Sequence, residues 1–521
     1  MQAQVEPYDK RWWALGALCL SLVVIGMDNT ILNVALPTLA RDLHATASQL
    51  QWMVDSYVLV FAGLLLTMGA LGDRFGRKRA LNVGLVIFGL GSIASAFSGG
   101  ATTLIATRAL MGIGGALIMP STLSIITNTF PPLERGRAIG IWAGVAGFGI
   151  ILGPLVGGWL LEHFWWGSVF LVNVPIIAIA MIYGWRVVPE SRDPAVTPLD
   201  PVGAALSIGG LVALVYGIIE APSHGWTSTS TLTALGIAAV LLGIFIWWEL
   251  RDEHPMLQIQ FFEDPRFTAA SVSITFVFFA LFGTIFLNTQ FLQFVLGYTP
   301  LQAGVRVMPV ATLIVAAPLS ARLAHRFGSK LVVASGLLIV TLSLALLSTV
   351  TAASGFALIA SSLAILGAGM GLTMAPATDS IMGSLPLAKA GVGSAMNDTT
   401  RQVGGALGVA VLGSVLASSY ASAMAPAVHS LPAPAAAVAG NSIGGAVAVA
   451  GQLGGSTGAA LLEASRVAFA NGMGDALIVA AVVAFAGALV SFFFLPARAR
   501  DPIALETEEE LPAGRVTEVA G

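Results

Sequence analysis

Met27-Asp28-Asn29-Thr30-Ile31-Leu32-Asn33 lies inside an otherwise apolar run from Trp12 to Leu36. That run is long enough to cross a bilayer as a helix, yet it carries a carboxylate well inside it, where an exposed charge costs about 2.5–3.5 kcal/mol even on insertion scales. Asp28 either faces a watery cavity, where it takes up and releases a proton, or it closes a helix–helix hydrogen bond or stays permanently neutral. The surrounding composition admits only an integral membrane protein: of 521 residues, 56% are hydrophobic and 10% charged, against about 25% charged in soluble domains. The net charge of −3 says little, because in a membrane protein the side on which basic residues fall is what counts. A single cysteine, Cys19, excludes an internal disulfide framework. Trp12 to Leu36 is too long for a signal-peptide core and is expected to remain in the mature chain.

Spans of about 20 apolar residues recur about fourteen times. Six come first: Trp12 to Leu36, Trp52 to Leu71, Ala80 to Phe97, Thr103 to Thr127, Ala138 to Leu161 and Val169 to Val187. A polar break at 189–194 precedes a pair, Pro201 to Ile219 and Leu232 to Trp248. Six more follow the connector that ends at Arg266: Phe267 to Phe291, Val307 to Leu323, Leu331 to Val350, Phe356 to Pro376, Val392 to Ser418 and Ala476 to Leu495. With the N-terminus inside, the inner connections hold Lys10, Arg11, Arg74, Arg77, Lys78, Arg79, Arg192, Arg251, Arg322, Arg326, Lys330, Arg498 and Arg500 among others. The outer loops hold little beyond Arg41 and Arg466, so both termini are expected to be cytoplasmic. Residues 419–471, rich in Ala, Gly, Ser and Pro, are expected to form a long outer loop or a weak hairpin with no span. The acidic tail 501–521 is expected to be disordered.

Leu71-Gly72-Asp73-Arg74-Phe75-Gly76-Arg77-Lys78 returns as Leu323-Ala324-His325-Arg326-Phe327-Gly328-Ser329-Lys330. The shared Arg-Phe-Gly-x-Lys core, each time after the second helix of a set of six, predicts two parallel six-helix halves with the extra pair between them. The division expected is a first bundle over 1–188, two inserted helices with their connectors over 189–266, a second bundle over 267–500 and the tail 501–521.

Four motifs together resemble the major facilitator superfamily and, within it, the fourteen-helix drug:proton antiporter group (QacA/EmrB-like). They are Met27 to Pro37 in the first helix, Gly69-Ala70-Leu71-Gly72-Asp73-Arg74-Phe75-Gly76-Arg77-Lys78 in the inner loop, Arg108-Ala109-Leu110-Met111-Gly112 in the fourth helix and Gly149 to Gly158 in the fifth. Met111 stands where relatives commonly have Gln. The resemblance implies an all-α major facilitator fold in the cytoplasmic membrane and export of lipophilic, often cationic, drugs or biocides in exchange for protons by alternating access. It implies no cofactor and no resident metal. Related carriers also move lipids, siderophores or metabolites, so the substrate stays open, as does the oligomeric state.

The residues themselves suggest roles. Gly72 and Gly76 permit a tight turn, and Asp73 is placed to pair near Arg77, either as a latch on the inner gate or within a simple positive-inside anchor that includes Arg74 and Lys78. Gly149, Gly153 and Gly157 fall on one helix face beside Pro154, which suits close approach of a partner helix, whether hinged or static. Arg108 lies about one and a half turns into its helix, Asp28 about 24 Å from the inner end of its own, and Asp55 about 9 Å deep from the outer end. All three are thereby expected in one charge network, with Asp28 the coupling acid, Asp55 a second acid and Arg108 the partner that tunes them.

Asp398 and Arg401, one turn apart, either pair with each other or serve the site. Asn397 departs from the two adjacent acids some relatives carry there. Trp52, Tyr57, Phe278, Phe282, Phe286 and Phe291, with the amides Asn288, Gln290 and Gln293, offer aromatic and polar cavity surface suited to lipophilic cations, or else ordinary packing.

Other classes fare worse. The six histidines fall in or beside connections and one cysteine cannot build a thiolate site, which argues against a metal- or thiol-dependent membrane enzyme. No phosphate-binding Gly-x-x-x-x-Gly-Lys-Ser/Thr loop is present. Nothing points to nucleic acid. A receptor-like protein would leave the buried acids and the internal repeat without a purpose.

Overall fold

The computed structural model describes residues 9–192, 200–252, 255, 257–384 and 390–496. The acidic tail lies outside the described residues. Within them the regular elements are helices: α1 Arg11–Asp42, α2 Ala47–Phe75, α3 Arg77–Ala96, α4 Ala101–Thr129, α5 Pro132–His163, α6 Ser168–Leu171, α7 Asn173–Val187, α8 Pro201–His224 and α9 Thr229–Glu249. Then come α10 Pro265–Gln290, continued by a π-helical turn over Phe291–Val295, α11 Pro300–Val307, α12 Leu313–Phe327, α13 Ser329–Leu347, α14 Phe356–Met382, α15 Ala390–Val428, α16 Ala433–Asn441, α17 Ile443–Leu453 and α18 Gly455–Phe494. Thirteen stretches among the described residues are long and apolar enough to cross a membrane, α6 running on into α7 and α11 into α12. The 32-residue α5 is a further long helix, in keeping with the expected count.

Local chemistry fixes the helix starts. Thr46 and Thr299 each close a reciprocal capping box with a Gln three residues on, and Asp200, Ser228 and Asp264 accept the first free N–H groups of α8, α9 and α10. At the two repeated turns one glycine ends a helix and begins the next: Gly76 at φ +113° and Gly328 at φ +87°, conformations a side chain rarely adopts. Gly72 is not part of that turn. It lies inside α2, where a Cβ would stand 3.3 Å from Ala80 Cβ and 3.3 Å from Ser121 Oγ, so its smallness serves helix packing.

The expected outer loop over 419–471 is instead helical through most of its length. Alanine is the strongest helix former, so the same composition that lacks a span-length apolar run still sustains helix. Pro432 precedes α16, Ser442 caps α17 by accepting the Gly445 N–H, and Gly454 at φ +61° stops it.

α1 packs on α5 and α7, and α4 on α2 and α3; in the later part of the chain α10 packs on α15 and α18, and α14 on α12 and α13. α8 and α9 pair with each other, and α8 leans on both α2 and α15. Between the two sets, α2 meets α15 and α5 meets α11. These crossings are tight at the end away from the repeated basic turns. There Gln51 Nε2 donates to Val409 O and Ala410 O at 3.2 and 3.0 Å, Gln293 Nε2 donates to Val34 O at 2.9 Å, and Gly158 backs onto Pro300 and Leu301.

Candidate functional site

Asp28 is fully buried in α1, and its two carboxylate oxygens are held from different helices. Arg108 Nη1 of α4 donates to Oδ2 at 2.5 Å, and Asn173 Nδ2, from the start of α7, donates to Oδ1 at 3.2 Å. Arg108 is held in turn: its Nε donates to Met53 O of α2 at 3.2 Å, and its guanidinium lies 4.4 Å from the centre of the Tyr57 ring. Asn173 Nδ2 also reaches Ser92 Oγ of α3 at 3.3 Å, while Asn173 Oδ1 is buried without a partner among the described residues. A desolvated guanidinium–carboxylate pair is stable only when geometry and extra hydrogen bonds offset the loss of water, and Met53 O of α2 and Asn173 of α7 supply them here. Met111 fills the adjoining space, its sulfur accepting from Ser95 Oγ at 3.4 Å.

The glycine face of α5 abuts the same turn of α1. A Cβ at Gly149 would stand 3.2 Å from Gly26 Cα, one at Gly153 would stand 2.7 Å from Met27 O and 2.9 Å from Ile31 N, and one at Gly157 would stand 2.6 Å from Ile31 Cγ1. Backbone contact this close leaves no room for larger residues, so α5 must move with α1 or slide along it.

Asp55 does not join the Asp28–Arg108 network. Met53 and Tyr57, one turn apart, face α4, whereas Asp55 is turned about 200° from each of them. It falls one turn from Gln51, on the side where Gln51 meets α15. Its residue exposure is 0%, and neither carboxylate oxygen has a hydrogen-bond partner among the described residues.

The second ion pair is looser. Arg401 Nη1 stands 3.7 Å from Asp398 Oδ1 within α15, Arg401 Nη2 donates to Thr378 Oγ1 at 3.2 Å, and Thr378 Oγ1 donates to Asn397 Oδ1 at 3.4 Å. Between the two pairs lies an apolar pocket. Thr30, two residues past Asp28, and Pro154 form one wall; Phe278, which lies 5.5 Å from the Arg401 guanidinium, and the methionines Met308, Met370 and Met374 form the other.

The expected cavity residues separate. Phe278 lines this pocket and Phe282 stacks on it at 6.0 Å, while Phe286 and Gln290 line a different pocket near Gln51. Trp52 leans on Tyr216 of α8 and Tyr57 lies under Arg108, so neither lines the central pocket. Phe291 is buried in the π-helical turn, and Asn288 is buried with neither amide atom partnered among the described residues. Sequence reasoning missed Asn173, Ser92 and the three methionines. Asn173 was findable as a polar residue within the apolar run from Val169 to Val187.

At the repeated turn, Arg77 Nε donates to Asp73 Oδ1 at 2.6 Å and its Nη1 to Ser124 O at 3.5 Å. Lys78 Nζ donates to Trp185 O at 2.8 Å, the Arg74 guanidinium stands over Phe75, and Gly69 packs on Pro120. The turn therefore ties together the ends of α2, α3, α4 and α7.

Many membrane-length helices around a buried ion pair and an apolar pocket define a multi-pass cell-membrane protein built for transport rather than catalysis. The chain belongs to the Major Facilitator Superfamily, whose profile matches residues 18–409. It is 38% identical to the multidrug efflux pump LfrA of Mycolicibacterium smegmatis over 92% of this chain and 95% of that one. Identity is 35% to the tetracenomycin C resistance and export protein of Streptomyces glaucescens (92% and 91% covered) and 37% to the methyl viologen resistance protein SmvA of Salmonella typhimurium (88% and 93%). In shape it is similar to a bacterial homolog of the human lysosomal transporter Spinster, crystallised inward-facing and unoccupied, with a TM-score of 0.68 at 19% identity over 95% of this chain and 99% of that one.

Proposed function

We propose that this chain is a proton-coupled antiporter that exports lipophilic, cationic drugs or biocides by alternating access, with its termini in the cytoplasm and its two six-helix bundles rocking about the central pocket. The observation that carries this reading is the Asp28–Arg108 pair, a titratable acid deep in the membrane whose charge partner sits on a different helix. A proton that neutralises Asp28 weakens its hold on Arg108, and movement of α1 against α4 in turn changes the carboxylate's appetite for a proton. The pair is shut in this conformation, so exchange requires a second state in which it parts and Asp28 meets water. Asp55, buried with no ion pair among the described residues, is the acid left to attract a cation or a second proton, and Phe278 and the methionines give a lipophilic body a pliable, polarisable surface. The Asp73–Arg77 latch steadies the cytoplasmic end. The relatives named above for multidrug efflux and for resistance to drugs and methyl viologen support the choice of cargo.

Purified protein in liposomes with an imposed pH gradient, offered a panel of cationic, neutral and anionic solutes, tests this reading. Lipophilic cations should move against the proton flow and neutral or anionic solutes much less. Transport indifferent to the gradient would end the antiport reading.

A further inference from the structure

Asp200 caps the start of α8 and Glu249 ends α9, and their carboxyl groups meet where these ends of the two inserted helices come together. Asp200 Oδ1 accepts from Gly203 N at 2.8 Å and from Trp248 Nε1 at 3.1 Å, and Glu249 Oε2 accepts from Leu257 N at 2.8 Å. The other oxygen of each, Asp200 Oδ2 and Glu249 Oε1, has no donor among the described residues. Both turn into the space over Gly203, where a Cβ would overlap Asp200 Oδ2 and stand 2.6 Å from Glu249 Oε1. The two carboxyl groups are thereby within hydrogen-bonding reach of each other, on residues only 7% and 3% exposed.

Two carboxylates this close and this dry do not both stay ionised, and one proton between them turns repulsion into a hydrogen bond. Among the described residues no cation answers them. The charged groups that act on Glu249 there are Asp200 and Asp252, both acids, and Arg251, two residues on in the chain, is turned onto the Trp247 ring at 4.7 Å. What the bond holds reaches beyond the pair: α8 leans on α2 of the first set of helices and on α15 of the second, and Leu257 lies in the connector that leads to α10. We propose that Asp200 and Glu249 share one proton, and that this proton clamps these ends of α8 and α9 to each other and to the connector at Leu257. When the proton leaves, the two charges repel and the clamp opens. The pair is a pH sensor on the inserted helices, separate from Asp28 and Arg108. That it reads the cytoplasm rests on the orientation proposed above; the sharing of the proton does not.

Nitroxide labels on Val202→Cys and Leu250→Cys, exposed positions beside the two acids, report the gap in the full-length protein in nanodiscs, with Cys19→Ser and a chelator present. Dipolar broadening of the EPR spectrum should weaken as the pH is raised from about 5 to about 9, a range in which buried acids titrate, and recover on return. Glu249→Gln donates an N–H to Asp200 Oδ2 while its oxygen still accepts from Leu257 N, and Asp200→Asn supplies the same bond from the other side. In each the broadening should stay strong across the range. A parent spectrum indifferent to pH, or the same transition surviving in either folded amide variant, overturns the proposal. So does failure of both variants to fold, since an amide makes the bond assigned to the proton. Because this readout involves no transport, loss of the pH-gradient drive in liposomes would sink the antiport reading and leave the clamp standing.

Discussion

Asp28 and Arg108 come from helices 80 residues apart in sequence and meet at 2.5 Å with side-chain exposures of 0% and 2%. Asp398 and Arg401 sit one turn apart on α15, 3.7 Å from each other, with side-chain exposures of 9% and 25%. The difference is one of mechanical wiring. A pair whose members ride on two helices is stretched or closed when those helices move, so its electrostatic energy reports the conformation. A pair within one helix travels as a body and is nearly blind to it. The first is suited to coupling and the second to tuning the pocket it borders.

The largest test of that contrast is Asp28→Asn, which keeps the size of the side chain and removes its charge. Arg108 is then buried without a counter-ion, and breaking a buried pair costs about 3–5 kcal/mol. Export driven by a pH gradient should fall at least a hundredfold in liposomes, with a lower unfolding temperature in detergent. Full gradient-driven export in this variant would reduce the pair to a structural tie. Asn173→Leu comes next. It removes the sole side-chain amide on Asp28 Oδ1 among the described contacts, a hydrogen bond to a charged group worth about 1.5–3 kcal/mol. The other charged or titratable side chains at Asp28 are Arg108 and, beneath it, Tyr57. Export should fall about tenfold and its pH profile should move, with partial rescue in Asn173→Gln; an unmoved profile would leave Asn173 a packing residue.

Much of this is legible in the sequence. A run such as Trp12 to Leu36 marks a span through transfer energy alone, and Gly76 and Gly328 mark their turns because few other residues adopt those angles. Depth along a helix is a count of residues, which is why Asp28 and Arg108 could be placed in one half of the membrane. Azimuth is not, and so Asp55 is expected beside Arg108 from its depth alone, whereas along α2 it falls on the side of Gln51, not on that of Met53 and Tyr57. The helices α16 and α17 escaped notice because neither reaches span length, and Ala-Gly-Ser-Pro composition reads equally as loop. Asn173 stood out as one amide in an apolar run, but its role as the donor to Asp28 Oδ1 is legible only once its neighbours are known.

The smallest effect expected is that of Asp398→Asn, and it bears most directly on the contrast between the pairs. Arg401 is a quarter exposed and keeps Thr378 Oγ1 and the face of Phe278 after the acid is gone, so losing its partner costs less than it does for the fully buried Arg108. The proton drive should therefore persist, with the maximal export rate within about threefold of the parent, because the pair does not span two helices. What should change is the pocket: removing a negative charge near Phe278 leaves Arg401 uncompensated beside it, so KM for a lipophilic cation should rise while KM for a neutral solute stays put. Measuring both constants for a matched cationic and neutral pair separates the two roles. If Asp398→Asn abolished the gradient drive as completely as Asp28→Asn, position on one helix or two would not be what makes a carboxylate a coupling group, and the acid of α15 would share that task.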